Sequence, residues 1–68
     1  MFGNKDEKQS RLERMVEIIA KSPQGITQAA LAHLLGVGRS TVNKDLVTLH
    51  QRGVRVAEDK QGRLYRAD

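Results

Sequence analysis

Two segments rich in helix formers, 28–35 and 39–51, are separated only by Gly36-Val37-Gly38. This short break constrains the fold more than any other feature of the chain. Helices joined so tightly cannot lie side by side antiparallel, and they cross steeply. Such a crossing needs a small residue where the backbones approach, and Ala32 is placed to supply it. It also needs a residue that tolerates an unusual φ at the turn, a role suited to Gly36. Val37, Val42 and Leu46 are then expected to fill the angle from the inside.

The flanking segments add one helix before this pair and a hairpin after it. From Gln9 onward, Leu12, Met15, Val16 and Ile19 recur at i, i+3, i+4 and i+7, the stripe of an amphipathic helix. Residues 1–8 carry no such period and are expected to be a flexible tail, with the domain running over 9–68. Ser22-Pro23-Gln24-Gly25 ends the first helix, and Ile26 reads as a very short extended piece. Thr27 is placed to cap the second helix through its hydroxyl. In the third helix, Val42, Leu46 and Leu49 form the apolar face, and Gly53 stands where a C′ glycine is expected. Val54 and Val56 then alternate with Arg55 and Ala57 as a strand. Glu58-Asp59-Lys60-Gln61-Gly62 forms a turn, and 63–66 return as a second strand. The fold class is mainly α with a small β element, a three-helix bundle plus a C-terminal β-hairpin.

Composition removes most functional classes. Sixty-eight residues at 38% hydrophobic allow one domain with a thin core, since a chain of this size buries only about 60% of its unfolded surface. The net charge is +4 and the pI about 10.0, which points to an anionic partner such as nucleic acid. From Arg39 onward seven basic residues face four acidic ones, so most of the excess lies in the third helix and the hairpin. The absence of cysteine excludes a disulfide framework and a thiolate zinc site, and it fits a reducing cytoplasm. There is no apolar stretch of membrane-spanning length and no signal-peptide pattern, so a cytoplasmic protein without membrane contact is expected. His33 and His50 lack partners at ligand spacing, so no metal or other cofactor is expected, and both should lie on the surface or at helix ends. Ser22 and Ser40 have no nearby base and no carboxylate pair sits in an apolar setting, so no catalytic residues are assigned and the chain does not read as an enzyme.

Within the central segment, Gln28…Ala32…Gly36-Val37…Val42 resembles the bacterial helix-turn-helix signature: a Gln, an Ala, a Gly followed by an apolar residue, then an apolar residue in the second helix. Residues 35–46 are similar to the recognition-helix region of the DeoR-like repressors, where Thr-Ile-Arg-Arg-Asp-Leu is typical. Asp45-Leu46 matches that ending, Asn43-Lys44 replaces the Arg pair, and Gly38 stands where a capping Ser is usual. Gly62-Arg63-Leu64-Tyr65-Arg66 resembles the end of the wing in winged helix-turn-helix domains related to the biotin repressor. The resemblance covers about residues 10–66. It implies a winged helix-turn-helix that binds double-stranded DNA in a bacterial transcriptional regulator, or in the DNA-binding domain of one.

In that geometry the third helix enters the major groove with Arg39, Ser40, Thr41, Asn43 and Lys44 outward. Arg39 suits guanine and Asn43 suits adenine, each bidentately. Lys44, with Thr27 and Gln28 at the start of the second helix, suits phosphate. Lys60 at the wing tip and Arg63 on its return strand suit the backbone or the minor groove. Asp45 would repel phosphate and is expected to pair with a nearby Arg or Lys inside the domain. Tyr65 is expected to pack the wing, with stacking on a base as the alternative. A competing function is a winged helix used for protein contacts. Z-form nucleic-acid recognition fits less well, because Val47 stands where the Z-alpha family has its base-contacting Tyr. A monomer or weak homodimer is expected in solution, with pairing on DNA and contacts through the first helix, including Ile18, or through Phe2.

Overall fold

A computed structural model describes residues 4–67 of the chain. The first helix, α1, spans Asn4–Ala20 and buries Leu12, Met15 and Ile19. It therefore begins before Gln9, and the boundary expected at residue 8 falls inside it. Periodicity could not reveal this opening turn, because residues 4–8 hold no apolar residue to mark a stripe. Acidic residues at a helix start are also favoured by its dipole. Phe2, the candidate dimer anchor, lies outside the described residues. After α1 the Ser22 hydroxyl donates to the Ile18 carbonyl at 2.7 Å, satisfying one of the last carbonyls of the helix.

The second helix, α2, spans Gln28–Leu35, and the Thr27 hydroxyl accepts the Ala30 N–H at 3.1 Å, the cap read from the sequence. Gly36 adopts the left-handed conformation at φ +71°. The Gly36 N–H reaches the His33 carbonyl and the Val37 N–H reaches that of Ala32, at 3.2 and 3.0 Å. This double bond pattern stops a helix while satisfying its last carbonyls, and it needs a residue without a side-chain penalty at positive φ. The third helix, α3, follows at Arg39–Gln51 and ends in the same pattern, with Gly53 bonded to His50 and Val54 to Leu49.

Three strands form one antiparallel sheet in the order β1-β3-β2: β1 at Ile26–Thr27, β2 at Val56–Glu58 and β3 at Arg63–Arg66. The hairpin is β2 and β3, and β1 joins its outer edge with Ile26 opposite Leu64 and Thr27 opposite Arg63. The expected two-stranded unit thus becomes three-stranded. Val54 is not in a strand, because its N–H is taken by the end of α3. Glu58, expected in the turn, is the last residue of β2. Gly25 allows β1 to lie this close, since a Cβ there would stand 2.7 Å from that of Arg63.

The core contains Leu12, Met15, Ile19, Leu31, Ala32, Val42, Leu49 and Leu64, so all three helices and the central strand share it. Ala32 is buried at the helix crossing, while Val37 and Leu46 pack against the core half-buried. Val16 and Ile18 pack there too, so α1 spends much of its wider apolar surface inside the domain. Tyr65 does not join them. Strand alternation puts it on the face opposite buried Leu64, on the outer side of the wing beside Ala57 and 38% exposed, so it lies on the wing but outside the core.

Candidate nucleic-acid interface

The inner face of α3 is fixed by Val42, Asp45 and Leu49, all buried. With that face committed, helical geometry turns Arg39, Ser40, Asn43 and Lys44 outward, and each is exposed. Thr41 lies at the margin, half-buried. Gly38 precedes the helix in extended conformation and offers no side-chain cap, so the first N–H groups of α3 receive no side-chain acceptor from this residue.

Asp45 is held from the far side of the core. The Arg11 guanidinium grips its carboxylate bidentately, Nε donating to Oδ2 and Nη2 to Oδ1 at 3.1 Å. This pair raises the Arg11 pKa above its ordinary value, first through the hydrogen bond to Asp45. The expected internal partner for Asp45 therefore exists, but it comes from α1 rather than from a neighbouring residue.

An open groove separates α3 from the hairpin. Asn43, Val47 and His50 line it on the helix side, and Val56, Glu58 and Leu64 on the strand side. Gln28 reaches the same groove half-buried, so the start of α2 and the outward face of α3 meet there. Thr27 is exposed, and its oxygen is already used as the α2 cap. His50 and His33 are exposed in the last turns of their helices, and His50 Nε2 lies 3.1 Å from the Val56 carbonyl, tying α3 to the hairpin.

The turn between β2 and β3 is organised by Asp59. Its Oδ1 accepts the N–H groups of Gln61 and Arg63, each at 2.9 Å. These bonds, that from Arg63 foremost, hold the carboxyl below its ordinary pKa. Lys60 is exposed at this turn. Arg63 is only half-buried, but its Nε lies 3.4 Å from Asp59 Oδ2, so part of its charge is already answered within the hairpin. Register also sets Arg63 opposite Thr27, joining a hairpin residue to the start of α2.

Sequence reasoning weighed Val47 only against Z-form recognition and left it out of the outward surface. Val47 is 58% exposed on α3, one turn beyond Asn43. Its i+4 spacing from Asn43 was the available signal. Among the described residues no group of three His, Cys, Asp or Glu side chains is placed to hold a metal ion, and no helix is long and apolar enough to cross a membrane.

A family model described as an HTH domain matches residues 11–63, well over half of the chain. The match begins at the arginine that grips Asp45 and ends at the first residue of β3. No curated protein and no solved structure matches the chain.

Proposed function

The chain belongs to the HTH domain family and is a helix-turn-helix DNA-binding domain of winged architecture, and from this premise we propose that it reads duplex DNA sequence-specifically. One observation carries the reading. The outward arc of α3 is exposed and polar but for Val47, with two cations, while the opposite face is locked into the core by Val42, Asp45 and Leu49. A helix held so firmly from behind can present its side chains to base edges with little ordering cost.

In this reading Arg39 and Asn43 contact bases, with Ser40 and Thr41 beside them. Lys44, Thr27 and Gln28 meet phosphates around the start of α2. Lys60 and Arg63 carry the wing to the backbone, Lys60 as the freer charge. The role is that of a transcriptional regulator, or of the DNA-binding part of one, acting on DNA as a monomer or a weakly associated pair.

Selection from random duplex DNA tests the proposal, followed by a salt titration of the selected duplex. An enriched motif is expected, with log affinity falling linearly in log salt at a slope of about −0.9 per phosphate neutralised. Recovery of no motif, with a nearly salt-independent affinity, would favour a winged helix that docks on protein.

A further inference from the structure

Val47 is the apolar exception on the outward face of α3, 58% exposed and outside the core. A β-branched residue loses side-chain freedom in a helix, and at this exposure packing returns little. At about 100° per residue, Arg39, Asn43, Val47, Ser40 and Lys44 follow one another around an arc of about 140°, with Val47 near its middle. The residue therefore stands near the angular middle of the surface that the proposed function turns towards the bases, one turn beyond Asn43 and Lys44 and beside Asn43 in the groove.

We propose that Val47 reads the 5-methyl group of a thymine in the major groove. The inference rests on the reading of α3 as the recognition helix and adds a specificity residue to it. Among the groups that the four base pairs offer there, the thymine methyl is the apolar one, the rest being hydrogen-bond donors and acceptors. An apolar side chain amid polar readers has that methyl as its complementary target. Val47 lies about 6 Å beyond Asn43 along the helix axis, a distance of about two base steps. The thymine thus falls within about two base pairs of the adenine assigned to Asn43.

Replacing each thymine of the selected duplex in turn by deoxyuridine removes one methyl and keeps every hydrogen-bonding group of the base pair. The unmodified chain is expected to lose about fourfold in affinity at one thymine per bound copy, the equivalent of about one buried methyl or methylene. Val47→Ser, whose helix propensity is similar, should bind the thymine and deoxyuridine duplexes equally at that position. Circular dichroism checks that this variant keeps its helices. If the unmodified chain binds the duplex but tolerates every deoxyuridine, or if Val47→Ser pays the same penalty, the Val47 assignment is overturned while DNA reading stands. If the unmodified chain retains no duplex in a salt-sensitive manner, both fall.

Discussion

Arg11 on α1 and Asp45 on α3 form a bidentate ion pair whose carboxylate side chain is 2% exposed and whose guanidinium side chain is 25% exposed. The pair links the first helix to the inner face of the helix that carries the proposed base readers. It sets the rotation of α3 as well as bridging two elements, because Asp45 can reach Arg11 only when the opposite arc faces outward.

Breaking this pair from one side should cost more than removing it. Arg11→Ala leaves a buried carboxylate without its cation, and the expected loss is about 3 kcal/mol, the low end for such pairs because Arg11 keeps some solvent. Arg11→Met combined with Asp45→Leu should recover most of that loss. Urea midpoints of the variants measure both effects. A loss below about 1 kcal/mol in the single variant would mean that the pair adds little to stability.

The hairpin turn should respond to acid. Asp59 is held below its ordinary value of 3.8, first by the Arg63 N–H bond. Its contribution to stability is therefore present above that value and is lost as pH falls through the lower folded value. Amide resonances of Gln61 and Arg63 should titrate together, with a midpoint below 3.8. A midpoint at or above it would show that the turn does not hold the carboxylate in solution.

Arg39 and Asn43, in the first two turns of α3, should carry base preference by hydrogen bonding. Arg39→Ala and Asn43→Ala are each expected to cost about 1–3 kcal/mol on the selected site and to relax preference at one or two positions. Binding to matched and scrambled duplexes separates this from phosphate contact. Equal losses on all sequences would reassign both residues to the backbone.

The two hairpin cations should differ. Lys60→Ala should weaken binding to every duplex and reduce the salt slope by about one. Arg63→Ala should change the slope less, because Asp59 already offsets part of that charge. Slopes unchanged in both variants would take the wing out of the interface.

The sequence alone determined the elements whose causes are local. Helices α2 and α3 end where their own residues end them: Thr27 caps three residues ahead, Gly36 turns left-handed, and Gly53 repeats the pattern. Such bonds span a few residues, and a reader of neighbouring letters can see both partners. The outward arc of α3 was legible for the same reason, since the spacing of Val42, Leu46 and Leu49 defines its opposite. Tertiary structure alone decided that β1 joins β3, that Tyr65 takes the outer face, and that Arg11 is the arginine paired with Asp45. A sequence offers several cations for one buried carboxylate, and a two-residue strand carries no period of its own. Only packing α1 against α3 brings together two side chains thirty-four positions apart, and only the sheet register chooses which face of β3 meets the core.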